Sequence, residues 1–358
     1  MPLVLRVIMG SGSHLPSITK MIILTTITVT LLLSSATTAI GAPSSNEDEL
    51  TIITEDFFPD SLIKYTGAYD IVQLVVPLNA LNFAKDSDDS SPESDDGTGV
   101  IFFVEAELDD KGNKDYKGLY VLRNGKGTKL LENGRDAVAV NDDSKTVYLA
   151  ASDGLYVYNY KENKADKYGT LTDNIIDIEK ENSSNVLYIV TDKHEVYKVT
   201  DEGTKKTKVE EIKNAQQLVL DYSDNIYYYG EDKQPYVINA EGVKKFVGLP
   251  ENPTSVTLIK PPFVMEDCVP FVSDDKVYYL NANGTSQLSE FQLKVKPTAY
   301  GMEAALIDYF AYKKHIYEVN LLAIIVGEIK DFVEVNFLKD KASSIQSIAT
   351  RSRSGLHP

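Results

Sequence analysis

An all-β chain closed into a ring of six blades is what this sequence predicts, and three observations carry the prediction. A hydrophobic-Tyr step recurs at Leu119-Tyr120, Leu155-Tyr156, Val196-Tyr197, Tyr236-Val237, Val277-Tyr278 and Ile316-Tyr317, with the tyrosines 36, 41, 39, 42 and 39 residues apart. Each step is preceded by an aromatic landmark, at Phe103, Tyr148, Tyr188, Tyr228, Phe271 and Tyr309. The gap between the two is seven to nine residues in every unit but the first, where 108–116 intervene. Such a gap suits two antiparallel strands and a short hairpin. Finally, residues 145–169, KTVYLAASDGLYVYNYKENKADKYG, read as a meander of three strands broken at Ser152-Asp153 and at 161–164. A period near 40 residues built from about four short strands marks a β-propeller blade. Six units fit between Asp70 and Lys330, so the expected fold is a six-bladed β-propeller. An open sheet would leave exposed edges and would not require a constant period.

Taken in order, the chain opens on a segment that reads as a leader. Residues 21–39 form an uncharged, largely apolar run after Lys20, followed by Ala39-Ile40-Gly41-Ala42. Cation, apolar run and small-residue zone are the layout of a secretory signal, so 1–42 is expected to be removed. Either Met1 or Met21 would serve as its start. A second run of membrane length does not follow, which predicts a secreted chain with no membrane partner after cleavage.

The formal charge is −17, and losing Arg6 and Lys20 with the leader makes it more negative. Nucleic-acid binding needs a basic footprint to neutralise phosphates, so that class is excluded. With one cysteine, Cys268, there is no disulfide framework, and stability must come from packing in one large closed domain over 43–340. Cys268 sits in an apolar stretch and reads as a small core residue. Residues 49–58 suggest a first strand and 69–76 a firmer one. Then 84–99, AKDSDDSSPESDDGTG, is too acidic and too poor in apolar groups to order itself. Its acids miss the calcium-loop pattern, since the twelfth position is Gly97. Ring closure needs a terminal strand, for which 50–53 or 332–337 are candidates. Residues 341–358 read as a disordered tail.

If strands run from the axis outward as a, b, c and d, the d–a and b–c turns share one face, and the a–b and c–d turns the other. Two glycosylation acceptors, Asn182-Ser183-Ser184 and Asn283-Gly284-Thr285, fall in a–b and c–d loops; Asn252 is excluded by Pro253. Asn133, Asn174, Asn214 and Asn252 recur at the d–a junctions. They read as turn chemistry, or else as a ring of amides at the channel mouth. Arg135, Lys213, Lys260 and Lys296 lie near the same junctions. The ligand-binding candidates are therefore Arg135, Asn174, Asn214, Lys296 and Tyr300.

Catalytic signatures are not found: there is no phosphate loop, no paired-His metal motif and no nucleophile elbow. No catalytic residue, metal or cofactor is assigned. One alternative is a six-bladed hydrolase with an axial divalent cation, for which Asp136, Asp177, Asn214 and Asp221 are candidates. Another is a module that binds a protein on its propeller face.

Residues 147–169 (VYLAASDGLYVYNYKENKADKYG), 225–229 (NIYYY) and 315–322 (HIYEVNLL) resemble the ommochrome-binding proteins of insects, chiefly moths and butterflies. The resemblance runs through most of 118–325. It implies a secreted, non-enzymatic haemolymph carrier whose partner is a small aromatic pigment of the phenoxazinone type. Burying about 200 Å² of flat apolar face would contribute about 5 kcal/mol. Arg or Lys bonds to the pigment's carboxylates would offset part of the association cost.

Overall fold

A computed structural model describes residues 50–78, 80, 99–109, 112–142, 144–263, 265, 267–304 and 306–320. The leader, nearly all of the acidic insertion, residues 332–337 and the tail lie outside them. The described chain is almost wholly β, folded as six small sheets in a ring. It is a six-bladed β-propeller.

Two short strands come first, β1 (Thr51–Ile53) and β2 (Ile63–Thr66), around single 3-10 turns at Glu55–Phe57 and Asp60–Leu62. Blade one is β3 (Asp70–Val75), β4 (Ile101–Leu108), β5 (Lys114–Arg123) and β6 (Lys126–Leu131). Blade two is β7 (Gly134–Ala139), β8 (Val147–Ala151), β9 (Gly154–Asn159) and β10 (Lys164–Lys167). Blade three is β11 (Ile175–Lys180), β12 (Leu187–Thr191), β13 (Val196–Thr200) and β14 (Lys205–Lys208). Blade four is β15 (Gln217–Leu220), β16 (Ile226–Tyr229), β17 (Pro235–Asn239) and β18 (Gly242–Lys245). Blade five is β19 (Val256–Leu258), β20 (Cys268–Ser273), β21 (Lys276–Asn281) and β22 (Ser286–Leu293). Blade six is β23 (Ala299–Glu303), β24 (Ile307–Tyr312) and β25 (His315–Asn320), completed by β2. The first strands of adjacent blades touch from β23 through β3, β7, β11 and β15 to β19, which places these strands around the axis.

Closure is achieved differently from the sequence expectation. The strand completing blade six is β2, antiparallel to β25 with Ile63 opposite Tyr317. The stretch 50–53 instead supplies β1, a fifth strand running parallel to β22 beyond blade five. Side chains explain the choice. Ile63 and Tyr65 both pack inward, Tyr65 with its ring 5.0 Å from Phe103, whereas β1 buries only Ile53.

Apolar clusters fill the spaces between adjacent blades. Ile178, Ile189 and Leu187 of blade three meet Val138, Ala150 and Leu155 of blade two, for example. The c-strand tyrosines of the early blades lie nearer the surface. Lys129, Lys167, Lys206 and Lys245 sit over Tyr120, Tyr156, Tyr197 and Tyr236 at 5.4, 4.4, 4.5 and 5.6 Å. In blades two to four the tyrosine hydroxyl donates to an acid of the b–c turn, Asp153, Glu195 or Asp232. The hydrophobic-Tyr step therefore encodes a lysine–tyrosine–acid clasp that ties a c strand to its d strand and turn.

Both glycosylation acceptors occupy the expected loops, Asn182 between β11 and β12, Asn283 between β21 and β22. Their amides differ. Asn182 Nδ2 donates to Tyr222 O at 3.1 Å, its Oδ1 accepts from Asn141 at 2.7 Å, and its backbone N–H donates to Asp224. Asn283 only closes its own turn, accepting from Thr285 N and Oγ1 at 2.9 and 2.7 Å. In a eukaryotic secretory host, Asn283 is expected to carry glycan and Asn182 to remain bare. Peptide mass spectrometry after enzymatic deglycosylation in heavy-oxygen water checks this, and label at Asn182 alone would contradict it.

Candidate functional site: the axis and an interblade cleft

Every innermost strand of a propeller turns an edge of unpaired N–H and C=O groups toward the axis, and buried groups of this kind require partners. Here polar side chains of the preceding blade supply them. Asp136 Oδ2 accepts from Ile178 N at 2.9 Å, and Asp177 Oδ2 from Leu218 N at 2.8 Å. Gln217 both accepts from Leu258 N at 2.9 Å and donates to Leu258 O at 2.8 Å. From blade one, Gln73 Nε2 donates to Asp136 at 2.5 Å. Gln73, Asp136, Asp177 and Gln217 thus staple blades one to five.

Both oxygens of Asp136 are thereby engaged, Oδ1 also by Ala137 N, and its carboxyl interacts with that of Asp177 on the next inner strand. Two neighbouring buried carboxylates disfavour double ionisation, which favours retention of a proton on the pair. Burial raises both pKa values, and for Asp177 the Asp136 charge adds to the rise. Two residues further along β11, Glu179 is buried and takes the ammonium of Lys260 at 2.5 Å. That contact reaches from blade five past blade four to blade three. Burial pushes Glu179 up to about 7 against the lowering effect of Lys260.

The residues intervening in the first unit form the extended end of the β4–β5 hairpin, which lies beside β7. Its Lys114 keeps solvent access but is closely surrounded by protein. Desolvation lowers its pKa, opposed by the charges of Asp136 and Asp177. Tyr116 is pushed up to about 12, first by burial and then by Asp136. Between blades one and five the axis is thus lined by side chains bonded to one another or to the next inner strand.

Of the sequence candidates, Arg135 stands 5.1 Å over the Tyr116 ring. Asn174 donates to Asp192 at 2.8 Å and leaves a buried Oδ1 without a partner. Asn133 likewise donates to Asp153 at 2.8 Å, so these asparagines fasten the d–a junction to the b–c turn of their own blade. Asn214 adopts φ 53°, and its carbonyl accepts from Gln216. Lys296 donates to Ser255 at 3.0 Å. Tyr300 packs 5.1 Å from Phe310 and donates to buried Asp308. Of the hydrolase candidates, Asp136 and Asp177 come together. Asp221 instead accepts from Asn225 and Tyr227 at the far end of β15, and burial pushes it up to about 6. Among the described residues, no group of three His, Cys, Asp or Glu side chains is placed to hold a metal ion. Cys268 is free and half-buried, its thiol pushed up to about 12 by burial.

Space for a ligand lies away from the axis. A cleft of about 440 Å³ opens between blades two and three, lined by Tyr148, Tyr168, Asn185, Val186, Thr200, Asp201 and Glu202. Tyr148 and Tyr168 meet edge to face at 4.9 Å, and both rings are half-buried. Burial, then Tyr148 and Glu202, raises the Tyr168 hydroxyl. The cleft wall is set by a backbone contact. Gly169 leaves β10 at φ 66° and Gly203 closes the β13–β14 turn at φ 77°, while Thr170 N donates to Gly203 O at 3.1 Å. None of the five sequence candidates lines the cleft. Tyr148 and Tyr168 both stand in the meander that opens the repeat, but their meeting with 185–186 and 200–202 depends on how neighbouring blades pack.

No protein-family model and no curated protein matches the chain. Solved structures that resemble it include two bacterial proteins. PorZ, a bacterial surface component of the type-IX secretion system of Porphyromonas gingivalis, aligns at 12% identity and TM-score 0.41, over 62% of this chain and 29% of that one. The extracellular domain of the one-component system BT4673 of B. thetaiotaomicron aligns at 9% identity and TM-score 0.45, over 77% and 43%. The chain spans less than half the length of either. Among the described residues, no helix is long and apolar enough to cross a membrane.

Proposed function

We propose that this propeller is a secreted carrier of a small planar aromatic molecule, an ommochrome-like pigment in haemolymph, without catalytic activity. The observation that carries the reading is the tyrosine-walled cleft between blades two and three. Its volume falls within the usual range for small-molecule sites, and the half-buried tyrosine pair offers preformed aromatic surface to a flat ring. A signal-like leader and the resemblance of 147–169 to insect pigment binders support the secreted and pigment-carrying parts. The hydrogen bonds that already engage Gln73, Asp136, Asp177, Gln217 and Glu179 at the axis favour the cleft over the channel mouth as the place of binding.

The test is the absorption spectrum of the protein purified from its native fluid, followed by titration with xanthommatin. A visible band near one pigment per chain is expected, and Tyr168→Ala should weaken binding about tenfold through lost stacking. Colourless protein that also fails to take up the pigment would overturn the proposal.

A further inference from the structure

We infer that the outer rim of blades four and five is a docking surface, and that its occupant is the chain's own segment 321–337. Among the described residues, the large apolar side chains left exposed are Leu50, Ile52, Leu108, Val243, Val247 and Leu288. All but Leu108 stand on this rim, in or beside β18, β22 and β1. The rim is continuous: Ser286 Oγ, at the start of β22, donates at 3.0 Å to Val247 O just beyond β18. On the outer side of β22 runs β1, with Ile52 opposite Gln292. Elsewhere the outermost strands, β2, β6, β10, β14 and β18, each contain lysine, the residue that keeps an open edge from pairing. Neither β1 nor β22 contains one. An apolar edge without that guard is one that is covered.

The occupant follows from where the chain goes. The turn that opens β25 meets the chain just past the end of β1, where Tyr312 and Lys313 both bond Glu55. Further along β25, Tyr317 and Val319 pack in one apolar cluster with Ile53 of β1. The chain therefore passes Asn320 beside β1, and it continues as LLAIIVGEIKDFVEVNF. Residues 321–326 are apolar and uncharged, and Val333, Val335 and Phe337 alternate with Glu334 and Asn336. Extended, 321–326 reaches about 20 Å against about 10 Å for β1, enough to cover Leu50 and Ile52. The rest, 327–337, extends up to about 35 Å further, toward Leu288 and Val247. A second copy of the chain fits the rim less well, because each copy carries a formal charge of −17 and the two repel.

Maleimide labelling of the full chain tests this. Ile52→Cys probes the rim, and Leu108→Cys is the matched control, the two native side chains being 44% and 40% exposed. Any reaction at half-buried Cys268 is subtracted with the unsubstituted chain. Ile52→Cys should react at least about tenfold more slowly than Leu108→Cys, at a rate independent of protein concentration. Adding Leu322→Asp and Ile324→Asp should bring the two rates together. In the unsubstituted chain, hydrogen–deuterium exchange over 321–326 should be slowed at least about tenfold from the intrinsic rate of that sequence. Equal labelling of the two cysteine variants, or exchange of 321–326 at its intrinsic rate, would overturn the inference. So would protection of Ile52→Cys that survives the two aspartates, or protection lost on dilution, which would give the rim to a second copy.

Discussion

Asp177→Asn should raise the melting temperature at about pH 7.5 and flatten its pH dependence, because the amide reproduces the protonated carboxyl. Its oxygen can still accept from Leu218 N, and its NH₂ can donate to Asp136 in place of the shared proton. The parent chain should be most stable in mild acid. Folding raises the pKa of Asp136 and Asp177, takes Glu179 to about 7 and takes Asp221 to about 6. Groups raised on folding bind more protons in the native state, so their stabilisation is complete below the ordinary carboxylate range. For Glu179 and Asp221 it is lost as pH rises from the ordinary carboxylate range through the folded values, between about pH 4 and 7. Glu179 alone, fully buried, accounts for on the order of 3 kcal/mol over that window. Asp153 and Asp166 work in the opposite sense, their pKa values being lowered, and their contribution disappears only below about pH 4. Thermal melts from pH 4 to 8 should therefore peak near pH 5. Asp177→Ala, which orphans Leu218 N and removes the partner of Asp136, should cost about 2–4 kcal/mol at any pH in that range. A melting temperature that climbs steadily to pH 8, unchanged in the asparagine variant, would contradict the shared proton.

Gly169→Val should cost about 3 kcal/mol or more and abolish ligand binding together. A Cβ on Gly169 would stand 2.0 Å from Gly203 O, and φ at this position is 66°, where β-branched residues are strained. The collision is with backbone, so no rotamer relieves it; the blade-three turn must retreat and carry Asp201 and Glu202 with it. Urea denaturation measures the loss. Gly242→Ala is the control, since φ there is 104° but no atom lies within 4 Å of the added Cβ. It should cost only the conformational strain, about 1 kcal/mol. Equal costs for the two variants would show that the interblade backbone contact carries no energy.

The fold was legible because a propeller repeats its solution. The tyrosine step recurs in blades two to four with the same clasp between a c-strand ring, a d-strand lysine and a turn acid. In blades five and six the equivalent rings are buried in the core. The asparagines of the d–a junctions recur because two of them, Asn133 and Asn174, fasten a turn in the same way. Closure was misplaced since a four-residue strand with a central lysine, Ile63–Thr66, gives almost no periodic signal. It becomes a strand by pairing with β25, more than two hundred residues away. Asp136 and Asp177 were visible as acids on inner strands, but their contact depends on how one inner strand presents its edge to the next. The cleft was the least legible feature. Its aromatic wall comes from blade two and its charged rim from a turn of blade three, joined by the Gly169–Gly203 approach.

Hydrogen–deuterium exchange of the full chain, with and without xanthommatin, tests the location and existence of the site in one measurement. Slowed exchange at Thr170, at 185–186 and through 200–204, with blades five and six unaffected, is the predicted result. Slowed exchange confined to Lys114, Arg135, Asp136 and Asp177 at the axis, or none anywhere, would contradict it.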